Sequence, residues 1–334
     1  MPDSIRRLVS AVTSRAVVKG AFLVLFVWLA TRLLAFASWA RGEGPPVARP
    51  EAVAGILPVG HFTSFFAWIK GGGWDTLLPA GLVIILAALA TSLLFKRGFC
   101  GWICPVGTLW ETAASLGRKA LGRNVRLPRW LDRLGLGLRY VIGIAFFGFV
   151  AAVPLAEAIG FRELPYMWVA DIKIIEGFGN PVFLAVAGLA FVLSMLHGPV
   201  WSRYPCPLGA LYSAVGMASP CAVHRDDAAC IDCGRCSAAC HAFVDVQHAG
   251  TVRAPECDGC MDCVKVCPVD GCLEAKAAGR LRIAPWVWPL LVVGVWLAIY
   301  AVAKVTGNWD TSIPADVFAR VIRSGLLEQQ TPLF

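Results

Sequence analysis

Residues 76–107 read TLLPAGLVIILAALATSLLFKRGFCGWICPVG. The first twenty carry no charge, which is about the length an α-helix needs to cross a hydrocarbon layer of ~30 Å. Lys96 and Arg97 close that run. Cys100 and Cys104 follow, with Pro105 directly behind. The stretch reads as a membrane helix with two cysteines at its exit, and the rest of the chain is read outward from it.

Four further stretches share its apolar character, at residues 20–40, 137–157, 179–198 and 283–303, giving about five candidate spans. The composition agrees: of 334 residues, 57% are hydrophobic and only 16% charged, too apolar for an ordinary soluble domain. Lipid offers no partner to a backbone amide, so an all-α integral membrane bundle is expected. Arg32 interrupts the first span and must snorkel or meet polar company.

Orientation follows from the basic residues. Residues 1–19 hold four against Asp3, and 96–139 hold nine against Glu111 and Asp132. By contrast, 41–75 hold three of each sign, and 157–179 hold two basic residues against four acids. Short cytoplasmic loops retain lysine and arginine. The N-terminus and the ends of spans two and four are therefore expected in the cytoplasm of a bacterial-type inner membrane, crossed several times, with 304–334 outside. The motif AFASWA at 35–40 also fits a signal-peptide cleavage site, but the long run before it favours an uncleaved anchor. The net charge of +8 is accounted for by the inner loops. Lipid, not nucleic acid, is the expected surrounding.

The opening motif recurs. CPVGTLW at 104–110 matches CPLGALY at 206–212, each after a span that runs from outside to inside. Spans one and two with the first copy, and three and four with the second, form a candidate parallel repeat. In each copy proline opens a short helix, which places Cys104 and Cys206 at N-caps where the helix dipole favours a thiolate. The copies differ at one position, since Ser202 stands where the first has Cys100. Cys100, Cys104 and Cys206 are candidates for a redox or metal role, with Cys221 as a possible fourth; the alternative is that they are small buried side chains.

Between spans four and five, residues 230–268 read CIDCGRCSAACHAFVDVQHAGTVRAPECDGCMDCVKVCP. Cys230, Cys233, Cys236, Cys240 and Cys257, Cys260, Cys263, Cys267 repeat the spacing C-x2-C-x2-C-x3-C. That pattern suits two [4Fe–4S] clusters: three thiolates in a tight loop take three corners of a cube, and the fourth comes from the other run. One cluster is expected on Cys230, Cys233, Cys236 and Cys267, the other on Cys257, Cys260, Cys263 and Cys240. Gly234 and Gly259 give the loops turn freedom. Disulfides would need an oxidising compartment, against the charge pattern, and zinc sites usually show paired C-x2-C units. His241 follows Cys240 where proline is usual, and Cys272 reads as packing.

Together the paired C-x3-C-P motif and the eight-cysteine segment resemble the membrane-bound polyferredoxin family that includes NapH, MauN, the C-terminal half of NosR and CcoG proteins. The resemblance covers roughly 60–280 and implies electron transfer between the quinone pool, or another donor, and a redox partner. For the CcoG type it implies an alternative, a copper reductase or assembly factor for a respiratory enzyme. Ser202 departs from the family pattern. No G-x-G-x-x-G follows a strand, which argues against a nucleotide-binding oxidoreductase.

The expected architecture is four spans with both CP motifs over 1–220, an inserted small α+β two-cluster ferredoxin-like domain over 221–282, a fifth span at 283–303 and an amphipathic tail at 304–334. Two further features are noted. GHFTSFFAWIKGGGWD at 60–75 gathers Phe62, Phe65, Phe66 and Trp68 around His61, which fits either an aromatic belt or a quinol site. Val317, Phe318, Val321, Ile322 and Leu326 mark an amphipathic helix expected to dock on the outer membrane surface or on a partner.

Overall fold

The computed structural model describes residues 14–56, 58–122 and 124–326. Arg6, Arg7 and Arg123, counted above among the inner basic residues, and tail residues 327–334 lie outside the described residues. The fold is mostly helical. Among the described residues, three helices are long and apolar enough to cross a membrane: Arg15–Arg41, Arg129–Ala152 and Val287–Val305. Each carries a broad exposed apolar face, with Phe149 and Val305 exposed at 75% and 88%, a surface suited to lipid rather than water.

The second and fourth apolar runs make shorter helices, Pro79–Leu94 with 16 residues and Pro181–His197 with 17. At 1.5 Å per residue these reach about 24–26 Å, short of the ~30 Å core. Local hydrogen bonds shape the entry to each. The Asp75 carboxylate accepts from the N–H groups of Leu77 and Leu78 at 3.0 and 3.1 Å, holding a bend ahead of Pro79, and Asn180 Oδ1 accepts from Val182 N–H at 2.8 Å. Proline then opens each helix at a position that needs no N–H. Pro181–His197 also meets the helix Pro165–Gly177 at a bend of 66°.

The chain divides into two compact units. One holds residues up to Leu23, Ala88–Ile144 and Ala190–Trp296, and with them all 13 cysteines. The other holds Val24–Ala87, Ala145–Leu189 and everything from Leu297 onward.

In the first unit, strand β1 (Cys221–Arg225) enters the cysteine-rich segment and strands β2 (Leu273–Ala277) and β3 (Leu281–Ile283) leave it. The order is β1-β2-β3, antiparallel throughout, with Val223 opposite Ala275 and Ala275 opposite Ile283. Pairing the entering and leaving strands closes the segment on itself. Its core packs Val223, Val246, Met261 and Leu273 with Phe95, Trp102 and Trp288. Both CP motifs open helices, at Pro105–Leu121 and Pro207–Met217.

In the second unit, Leu33, Phe36, Val53, Val169 and Ile172 form a separate core. The amphipathic tail helix, Ala315–Arg323, buries Phe318, Ala319 and Ile322 there, with Phe318 edge-on to Phe36 at 6.1 Å. Val317 and Val321 pack against the same core. The apolar face read from the sequence is thus covered by the chain's own core, where an external surface or partner was expected.

Candidate functional site

The two cysteine loops trace the same backbone path. The residue before each second cysteine, Asp232 and Gly259, has φ of 53° and 65°; the residue after it, Gly234 and Met261, has φ of 70° and 65°. Left-handed backbone is strained for aspartate and methionine and persists where the surroundings demand it. Glycine was anticipated at one of these positions in each loop. The structure shows that both loops need both. A short helix follows each, Arg235–Ala239 and Asp262–Lys265.

Cys230, Cys233, Cys236 and Cys267 line one cavity of about 340 Å³. These are the four residues grouped from spacing. Cys272 lines it too, buried against Cys230 and Cys267, so its packing role puts it beside that group. In the second loop, Cys257 and Cys263 lie within electrostatic reach of Cys240, and Cys260 within reach of Cys263. Backbone N–H groups of Gly259, Val264 and Val244 donate toward the sulfurs of Cys257, Cys263 and Cys240. Amide donors to sulfur are what thiolates bound to iron use. Burial meanwhile pushes the Cys257 thiol up to about 12 and the Cys263 thiol higher still, so these sulfurs ionise only against a compensating cation. The residues present fit an iron–sulfur cluster.

The CP motifs converge. Cys100, Cys104 and Cys206 lie within electrostatic reach of one another and of the buried Tyr212. Both N-caps form as expected: Cys104 Sγ accepts from Gly107 N–H at 3.4 Å, and Cys206 Sγ from Gly209 N–H at 3.3 Å. The expected fall in thiol pKa does not follow. Burial outweighs the caps, pushing Cys104 up to about 12 and Cys206 upward as well. Cys221, the possible fourth, lies in β1, opposite Ala277 and buried in the cysteine-rich segment's core.

The CP loop Phe99–Ile103 is a π-helical turn seated directly on the second cysteine loop. Trp102 Nε1–H donates to Gly259 O at 3.0 Å. Gly101 allows the approach, because a Cβ there would stand 2.6 Å from Asp258 O. Arg15 ties the two loops together, donating to Gly101 O at 3.1 Å, Glu111 at 2.5 and 2.7 Å, Asp258 at 3.2 Å and Asp262 at 3.1 Å. Lys19 joins Glu111, and His241 Nε2 meets Asp258 at 2.9 Å. Burial alone would raise both acids, but His241, Arg15 and Lys19 hold Glu111 down at about 2, and His241 and Arg15 hold Asp258 well below the usual carboxylate range. Sequence reasoning missed this network. Arg15 and Lys19 counted only toward orientation, and His241 only as the residue replacing proline.

In the second unit His61 is buried and Nε2 has no partner among the described residues. It lines a cavity of about 280 Å³ with Ser64, Asp75 and Arg162, where Ser64 Oγ donates to Asp75 at 2.6 Å. Of the aromatics around it, Phe62 is core, edge-on to Phe147 at 4.8 Å.

Comparison with known proteins agrees with this arrangement. A family model described as a 4Fe-4S binding domain matches residues 77–124 and 180–219, the two CP motifs with their preceding helices. A second, described as a 4Fe-4S dicluster domain, matches 222–268. The chain is 35% identical over 286 residues to YccM of Escherichia coli, named as a candidate electron transport protein, covering 83% of this chain and 80% of that one. It is 28% identical over 240 residues to the ferredoxin-type protein NapH of Escherichia coli, covering 67% and 73%. It is 31% identical over 215 residues to the regulatory protein NosR of Pseudomonas aeruginosa, covering 61% of this chain and 29% of NosR. No solved structure matches. With its apolar helices and its cysteine loops, the chain belongs to the membrane-associated, polyferredoxin-type family of 4Fe–4S electron-transport proteins.

Proposed function

We propose that this chain carries electrons between quinol, or another membrane donor, and a redox partner through two [4Fe–4S] clusters, on Cys230, Cys233, Cys236, Cys267 and on Cys257, Cys260, Cys263, Cys240. Clusters of this type supply reversible one-electron storage when bound. The chain's residues do the rest. The amides of Gly259, Val264 and Val244 hydrogen-bond the ligating sulfurs of the second group. Arg15 fixes the CP loop against that group, and the burial of Cys260 and Cys263 excludes water. Exposed Cys233 and Ile231, the latter 63% exposed, give the first group a face for a soluble partner.

The observation that carries the proposal is the Trp102–Gly259 hydrogen bond, which joins the exit of an apolar helix to a cysteine loop. The arrangement it supports has five spans, four of them within 1–220 together with the two CP motifs and the fifth at 283–303, a ferredoxin-like domain inserted at 221–282 on the cytoplasmic side of the inner membrane, and an external tail. Protein purified without oxygen should carry iron and sulfide and show reducible cluster signals by EPR. Cys267→Ala should remove one signal and Cys240→Ala the other. A colourless, iron-free chain would refute the proposal. The three converging CP thiols favour a second reading, copper reduction or delivery, since thiolates are soft ligands for Cu(I). Copper stoichiometry unchanged in a Cys104→Ser, Cys206→Ser variant would exclude it.

A further inference from the structure

A cavity of about 440 Å³ opens beside Cys100 and Ser202, its wall carrying Arg97, Arg139 and Arg203 as well as Glu111, Glu256 and Asp258. Arg139 is wholly buried, and its Nε and Nη1 have no partner among the described residues; the same holds for Nε of Arg97, which is 6% exposed. The remaining contacts of Arg139 are thin. Nη2 donates to Tyr140 Oη at 3.2 Å, the guanidinium lies over the Tyr140 ring at 5.0 Å, and Glu256 stands 3.9 Å away, while Arg97 spends Nη2 on Ser202 O at 3.3 Å. A buried charged donor left unmet is expensive, about 1–3 kcal/mol or more, so donors gathered on one cavity point to an acceptor inside it.

The repeat says where that acceptor sits. Cys100 and Ser202 hold equivalent places, each four residues before a capping cysteine. Their carbonyls face the equivalent glycines: a Cβ on Gly107 would lie 3.0 Å from Cys100 O, and one on Gly209 3.4 Å from Ser202 O. Both Cys100 and Ser202 wall the cavity. A metal centre held by Cys100, Cys104 and Cys206 would leave open the corner a cysteine at 202 would close, and Ser202 shares its cavity wall with the two arginines. The N-termini of the helices Pro105–Leu121 and Pro207–Met217 add positive potential there.

The 4Fe-4S binding domain matched over both CP motifs speaks for an iron–sulfur centre on Cys100, Cys104 and Cys206; we propose that this centre has one iron lacking a protein thiolate, and that this iron takes a small anion positioned by Arg97 and Arg139. The proposal rests on the electron-transfer reading above and adds to it a ligand-binding corner. The test uses the full chain purified without oxygen, with cyanide as probe. Iron should reach the level of three cubes, and cyanide should shift one EPR signal while the two ferredoxin signals stay fixed. Ser202→Cys should keep the iron and abolish the cyanide shift, whereas Ser202→Ala should change neither. Arg139→Gln should weaken cyanide binding by about tenfold or more, the scale of one charged hydrogen bond.

Iron at the level of two cubes, no cyanide shift in the parent chain, or a shift that survives Ser202→Cys would each overturn the proposal. Loss of the signal in Ser202→Ala would make the serine hydroxyl the fourth ligand and overturn it equally. Absence of every cluster signal would instead sink the underlying electron-transfer reading, which separates the two failures.

Discussion

Replacing Arg15 with methionine keeps the apolar stem and removes the fork that joins the CP loop to the second cysteine loop. The structure sets the size of the effect. Of the three carboxylates Arg15 serves, Glu111 keeps Lys19, Asp258 keeps His241, and the Asp262 side chain is 34% exposed and can rehydrate. Removing one partner of a buried ion pair costs ~3–5 kcal/mol. Because two of the carboxylates retain a cation, the lower end applies, about 3 kcal/mol, which corresponds to roughly 100-fold more frequent local opening.

The amides of Gly101 and Cys104 report on that opening, since they bond Arg97 O at 3.1 Å and Phe99 O at 2.9 Å within the loop. Hydrogen exchange of the cluster-loaded chain in detergent should show their protection falling by that factor in Arg15→Met. Arg15→Lys, which keeps the charge without the bidentate fork, should fall between. Amides of the Ala315–Arg323 helix, in the other compact unit, should not change. Full protection of Gly101 and Cys104 in Arg15→Met would refute the view that this arginine holds the two loops together.

Trp102→Phe keeps an aromatic ring but loses the 3.0 Å bond to Gly259 O; about 1 kcal/mol of stability should go, and rapid-freeze EPR should show slower reduction of the ferredoxin-segment signals by a membrane-side donor. Gly101→Ala puts a Cβ 2.6 Å from a backbone oxygen that has no side-chain freedom to yield, so the loops should separate at a cost of ~1–3 kcal/mol, visible as lost exchange protection at Cys104. Glu111, ordinarily near 4.5, is held at about 2. A depressed acid stabilises above its unfolded pKa, so its contribution is complete above pH 4.5 and lost as pH falls toward 2, and Glu111→Gln should flatten that limb of an acid stability profile.

Much of the chemistry was legible because ligand spacing is a local property. Eight cysteines at fixed intervals imply tight loops, and the structure supplies them, with left-handed backbone at matching positions in both. The CP repeat was legible for the same reason, since cysteine followed by proline is a helix start whatever surrounds it. Span length was less so. Hydropathy counts apolar residues, but the Asp75 carboxylate holds Leu77 and Leu78 in a bend ahead of Pro79, and Asn180 caps the helix that opens at Pro181. The tail shows the limit of an amphipathic pattern, which reveals that a face must be covered without revealing by what. Long-range pairing was not legible at all. Arg15 meets Asp258 across 243 residues, and nothing in either neighbourhood marks the partner.

The failure of the dipole argument at Cys104 and Cys206 carries the most mechanistic content. A helix N-terminus favours a nearby anion by about 0.3–1 kcal/mol when exposed, whereas burying an ionised group costs several times that. Where the two act on one sulfur, burial prevails, and the free thiol stays protonated at physiological pH. Such a cysteine is a poor nucleophile and a poor partner for disulfide exchange, because both need the thiolate. It becomes a good ligand once a metal ion supplies the charge that water does not. The caps and Arg97 then act on the bound state, steadying negative charge on sulfur after the proton has gone. The same environment that silences these cysteines as thiols suits them to metal.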